Sequence, residues 1–169
     1  MGKPVTVQKY STQWKQDFET IKTELEAALG ELALRIEHVG STSVEGLSAK
    51  PIIDIDVVIA DDSMLVPVIS ALAKIGYTHE GDLGILGREA FKYAHKEHLK
   101  KHHLYVCTQN STELKRHISF RDHLRSHPDA VQEYSRIKEE GAALYPDDMD
   151  KYITYKSSFI GKIYNMIGI

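Results

Sequence analysis

The stretch HVGSTSVEGLSAKPIIDIDVVI, residues 38–59, decides how this chain folds. Its second half, Ile52 to Ile59, is a continuous apolar β-branched run opened by Pro51, and only Asp54 and Asp56 interrupt it. Such a run predicts a strand buried on both faces. Its first half, Gly40 to Lys50, is rich in Gly, Ser, Thr and Ala and predicts a connector with little helix. Before it, Leu34 to Val39 alternates apolar and polar closely enough to predict a second strand. The stretch therefore reads as strand, Gly-Ser turn, strand.

Upstream, Ser11 or Thr12 is placed to cap a helix running to about Leu29, with Trp14, Phe18, Ile21, Leu25 and Leu29 on one buried face. Gly30 stops it. Val5 to Val7 is short and β-branched and predicts an edge strand. Downstream, Asp61, Asp62 and Ser63 offer caps for a helix to about Ile75, with Pro67 tolerated near its first turn. Tyr77–Glu80, Phe91–His95 and His103–Thr108 predict further strands around a glycine-rich loop at Gly81–Gly87. After Asn110 the pattern turns helical, at Ser111–Ser126, Pro128–Leu144 and Asp148–Ile167, with Pro128 suited to a helix start. The expected architecture is α/β (α+β): residues 1–110 form a mixed-sheet core and residues 111–169 a helical part packed on it, as one compact unit.

The 169 residues suit one such unit, and 42% hydrophobic with 27% charged is ordinary for a globular chain. A net charge of −3 gives no general attraction to nucleic acid, so nucleic acid is not an expected partner. Cys107 is the single cysteine, which excludes an internal disulfide and a cysteine zinc site. Met1 to Tyr10 lacks a basic-then-apolar leader, and no apolar run approaches the roughly 20 residues of a membrane helix. A cytoplasmic location away from membranes is the simplest expectation. Nothing in the sequence sets an oligomeric state.

Alternate residues of a strand share a face, so Asp54 and Asp56 project together, about 6.6–6.8 Å apart along the chain. Burying unpaired carboxylates costs several kcal/mol each. A half-exposed strand with its aspartates in water would avoid that cost, but the Ile and Val flanks argue against exposure. A hard divalent cation, Mg²⁺ or Mn²⁺, compensates directly, taking carboxylate oxygens and substrate phosphates as ligands. Gly40-Ser41-Thr42-Ser43 adds a backbone able to approach an anion closely, with hydroxyl donors. It is not a Walker loop, because no Gly-Lys-Ser/Thr follows. Lys50 and Arg88 are candidates to neutralise phosphates. Arg121 and Arg125, four apart on one helix face, are suited either to phosphate oxygens or to surface ion pairs. The histidines at 95, 98, 102 and 103 lack zinc spacing. His103 stands out as a candidate ligand or general base.

The segment His38 to Asp56 resembles the signature of the GrpB-like family, which is similar to the nucleotidyltransferase superfamily in its Gly-Ser turn and D-x-D strand. Gly87-Arg88 with Phe91 resembles the family's middle segment. Phe120-Arg121-Asp122-His123-Leu124-Arg125, followed by Tyr134, Lys138, Tyr152 and Lys156, resembles its helical end. The resemblance implies a nucleotidyltransferase-like fold. It also implies metal at Asp54 and Asp56, a nucleoside triphosphate or other phosphorylated small molecule on Gly40–Ser43, and transfer of a nucleotidyl group to an unnamed acceptor. Two positions depart from the pattern. The superfamily's third strand carboxylate is replaced here by His103 or Tyr105, and Glu45 stands where proline is favoured. The missing carboxylate leaves an alternative, a module that binds a nucleotide or phospho-metabolite without turning it over.

Overall fold

The computed structural model describes residues 4–169. Helix α1 (Gln13–Leu29) leads into strand β1 (Arg35–Val39), a single 3₁₀ turn at Ser41–Ser43, and strand β2 (Ile53–Ile59). Helix α2 (Leu65–Ala73) follows, then β3 (Tyr77–Gly81), β4 (Glu89–Tyr93) and β5 (His102–Thr108). Helices α3 (Thr112–Arg125), α4 (Pro128–Leu144) and α5 (Met149–Ile167) complete the chain.

The strands make one mixed sheet in the order β1-β2-β5-β4-β3. Only β2 and β5 are parallel, with Asp54 beside His103 and Asp56 beside Tyr105. Across β1, which runs antiparallel, Val39 faces Asp54 and Glu37 faces Asp56. Alternation assigns the two faces of β2. Ile53, Ile55, Val57 and Ile59 pack with Trp14, Phe18, Ile21, Leu25, Val68 and Leu72 in the main core. Asp54, Asp56 and Val58 point to the other face, where Val58 and Cys107 meet Leu114 of α3. A third cluster, Val44, Leu47, Leu124, Val131, Tyr134, Phe159 and Ile163, seats the Gly-Ser connector among the C-terminal helices.

Three expectations need correcting. Val5 to Val7 is not a strand: the described chain near it makes one isolated bridge, Gln8 to Ala49, and the Val5 amide donates to the Pro146 carbonyl. With no continuous neighbour to pair with, its β-branched composition has no ladder to join. The strand placed at Phe91–His95 begins two residues earlier and ends at Tyr93, because His95 adopts a positive φ of 59° that belongs to a turn. The helix expected from Asp61 is a 3₁₀ turn at Asp62–Met64, capped by Asp61, that runs into α2, with Pro67 in its first turn.

Candidate functional site

The Gly-Ser turn meets β2 at van der Waals limits. Gly40 has φ +73°, and a Cβ there would lie 2.2 Å from Asp54 Oδ2, so only glycine fits. The three hydroxyls of the turn have different fates. Thr42 donates to the Ile52 carbonyl and accepts from the buried His38 ring, while Ser43 donates to the Gly40 carbonyl. Thr42 and Ser43 thus hold the turn together. Ser41 is left facing a cavity, where its hydroxyl meets Lys138 Nζ.

Each aspartate is held by a histidine through one oxygen. His103 Nδ1–H donates to Asp54 Oδ1 at 2.9 Å, and His117 Nδ1–H donates to Asp56 Oδ2 at 2.6 Å. Asp56 is fully buried, and its Oδ1 has no partner among the described residues. Burial pushes the Asp56 carboxyl up. Burial alone would lower His117, but the hydrogen bond and charge of Asp56 outweigh it and leave the imidazole raised.

The cavity beside Asp54, about 230 Å³, is lined by Ser41, Thr42, Lys50, Asp54, His103, Lys138, Tyr152 and Lys156 among others. Lys138 is buried over the Tyr134 ring at 4.5 Å, and Lys156 sits over Tyr152 at 4.8 Å. Burial, reinforced by the charge of Lys156, brings the Lys138 ammonium down to about 7. Burial lowers Lys156 too, against the pull of Asp54. One buried lysine, one half-buried lysine and Lys50 thus gather three basic side chains around one small cavity, an arrangement whose charge suits an anion.

The residues singled out in the sequence separate into groups. Gly40, Ser41, Lys50, Asp54 and His103 converge, with Asp56 behind them. Arg121 is engaged elsewhere, donating to Glu37 at 2.6 Å and to the His38 carbonyl at 3.0 Å. Arg125 donates twice to the Ser43 carbonyl and lines a larger cavity, about 790 Å³, beyond the turn, to which neither aspartate contributes. Both arginines clamp α3 to β1 and the turn. Arg88 lies on the Tyr105 ring, 4.2 Å from its centroid, and is not part of the lysine-lined cavity. His117 escaped sequence reasoning, although its spacing of four from Arg121 puts it on the same α3 face. Lys138 and Lys156 were visible only as part of a family pattern.

Among the described residues, no three His, Cys, Asp or Glu side chains converge as a ready metal cage. The donor set nevertheless fits a hard cation that takes carboxylates and completes its shell with phosphate and water. Asp56 Oδ1 is an orphaned buried acceptor, and Asp54 Oδ2 is the oxygen not bound to histidine.

A model of the GrpB protein family matches residues 4–166. The chain belongs to the GrpB family. The glutamate-rich protein GrpB of Alkalihalophilus pseudofirmus is 36% identical over 159 residues, covering 92% of this chain and 91% of that one. The UPF0157 protein YqkA of Bacillus subtilis is 33% identical over 151 residues, covering 89% of this chain and 43% of YqkA, so the chain spans less than half of that relative. Among solved structures, the conserved protein GrpB from Enterococcus faecalis superposes with a TM-score of 0.83 at 34% identity, over 96% of both chains. The Cid1 poly(U) polymerase, solved with MgATP, superposes with a TM-score of 0.57 at 12% identity, over 80% of this chain and 44% of Cid1. This GrpB chain therefore has a nucleotidyltransferase-like fold. Among its described residues, no helix is long and apolar enough to cross a membrane.

Proposed function

We propose that this GrpB-family chain binds a nucleoside triphosphate with Mg²⁺ or Mn²⁺ and transfers its nucleotidyl group to an acceptor. One observation carries the reading: Asp54 and Asp56 each keep one oxygen free of histidine, and Asp54 lines a cavity walled by Ser41, Lys50, Lys138 and Lys156. Asp54 and Asp56 would hold the metal, which when bound neutralises phosphate charge and orients the α-phosphate. Ser41 and the lysines bind the β- and γ-phosphates. Gly40 lets the turn approach, and Thr42 and Ser43 hold its shape.

The chain's own chemistry is positioning and proton handling. Asp54 holds His103 by Nδ1–H, which leaves Nε2 as the basic nitrogen. An acceptor hydroxyl loses its proton to His103 Nε2 as its oxygen bonds to the α-phosphorus. The bond to the β-phosphate oxygen breaks, and pyrophosphate leaves with that electron pair. Asp54→Asn is expected to abolish metal-dependent nucleotide binding while leaving cooperative unfolding intact. Calorimetric titration of MgATP and MgUTP reads the first, and a thermal melt the second. Binding as tight as wild type would refute the assignment.

A second reading has its own support. β5 sets His103 and Tyr105, not a carboxylate, beside the two aspartates. A site that binds without turnover would retain nucleotide and release no pyrophosphate with any acceptor. A pyrophosphate-release assay across nucleotides and acceptors separates the two readings. We also propose a cytoplasmic location, which fractionation of cells expressing the tagged chain tests.

A further inference from the structure

We propose that Arg88, laid on the ring of Tyr105, is the receptor for an anionic group of the second substrate, so that the acceptor is a small phosphorylated or carboxylated molecule. The inference rests on the nucleotidyltransferase reading above and names the substrate class that the reading leaves open.

On the open face of the sheet, Asp54 adjoins the Gly-Ser turn and the lysine cavity. Asp56, one step further along β2, adjoins Tyr105 on β5. Arg88 precedes β4 and comes down over Tyr105, with its guanidinium carbon 4.2 Å from the ring centroid. Ser111 fixes this approach, because its hydroxyl donates to the Gly87 carbonyl at 2.5 Å. Gly87 has φ +87°, and a Cβ there would lie 2.8 Å from the same hydroxyl. The segment is therefore held, and Arg88 is presented on a rigid support.

The guanidinium is also unspent. Arg121 and Arg125 are consumed by Glu37 and Ser43, but Arg88 makes no ion pair or hydrogen bond among the described residues, and its Nε is buried without a partner. A buried N–H left unpaired costs about 1–3 kcal/mol, so a site that keeps one has a use for it. One unpaired donor, held on a rigid support over Tyr105, suits a ligand carrying an anionic group. The stacked, planar guanidinium matches the oxygen pair of a phosphate or carboxylate. Tyr105, one of the two residues standing where the superfamily pattern has a strand carboxylate, is thus the shelf for the arginine.

The test reads Arg88 directly. The Nε–H resonance of Arg88 is assigned in the full chain, using Arg88→Gln to identify it. The chain is then titrated with glycerol 3-phosphate, glycerate and, as a neutral control, glycerol, with and without a non-hydrolysable Mg-nucleotide. The expected result is a saturable shift with one or both anions and none with glycerol. The phosphate and carboxylate arms tell the two anion types apart. Arg88→Gln should weaken the anion roughly tenfold or more and leave nucleotide affinity unchanged. An unmoved resonance with both anions overturns the proposal, and so does a shift caused by the nucleotide alone. If the anion binds through Arg88 but no nucleotide binds anywhere, the anion receptor stands and the nucleotidyltransferase reading falls. If nucleotide binds and Arg88 ignores both anions, the reverse holds.

Discussion

At the scale of single residues, the site is held by contacts that leave little room for change. Gly40→Ala would drive a methyl group into Asp54 and strain a backbone at φ +73°. We expect it to lower stability by roughly 3 kcal/mol or more, read from the urea midpoint. The Asp56–His117 pair is equally demanding. Removing the imidazole in His117→Leu leaves a fully buried carboxylate without its proton donor, a loss of roughly 3–5 kcal/mol. The double variant Asp56→Leu/His117→Leu should recover most of that loss, because an apolar pair of similar volume is commonly neutral or better. Chemical denaturation of the four variants of this cycle checks both statements. A double variant no more stable than His117→Leu would show that Asp56 has a further structural partner.

At the scale of elements, α3 forms one long edge of the site. Glu113, His117, Arg121 and Arg125 recur every four residues along it, and the last three reach Asp56, Glu37 and the Ser43 carbonyl. Helices α4 and α5 supply the lysines, and they approach closely at Gly141, where a Cβ would lie 2.9 Å from Tyr155 and 3.1 Å from Tyr152. Gly141→Val should therefore cost about 1–3 kcal/mol by overpacking, despite valine's better helix propensity, and thermal melts will show it. The elements were largely legible in the sequence, because the apolar spacing of α1 and the Ile-rich run of β2 carry strong periodic signals. β2 also announced the aspartates, since a carboxylate in an apolar run stands out locally. His117, Lys138 and Lys156 did not stand out. Each is one polar residue on an amphipathic helix, and only the tertiary packing turns its side chain toward the sheet. Val5 to Val7 failed for the converse reason: β-branched residues need a partner strand, and among the described residues none lies beside them.

At the scale of the molecule, buried bases set the pH response. Burial brings Lys138 down to about 7 and holds His38 neutral with a pKa of about 4. Between about 7 and the ordinary lysine value, the unfolded chain binds a proton that the folded chain refuses, so stability rises with pH. The same holds for His38 between about 4 and 6.5, so stability falls as acid is added through that range. Lys138→Met should raise the melting temperature at pH 7 and flatten the alkaline rise, which a melt series from pH 5 to about 9.5 will record. The pieces of the site lie far apart along the chain: 49 residues separate Asp54 from His103, 61 separate Asp56 from His117, and 97 separate Ser41 from Lys138. A chain emerging from the ribosome can pair β1 with β2 early, but the closing of long loops comes late and slowly. The sheet can assemble before the lysine-lined cavity exists, because α4 and α5 bring Lys138 and Lys156 last. On the function proposed above, a nascent chain binds nucleotide only once α5 has left the ribosome, so ligand binding would report that synthesis has passed α5.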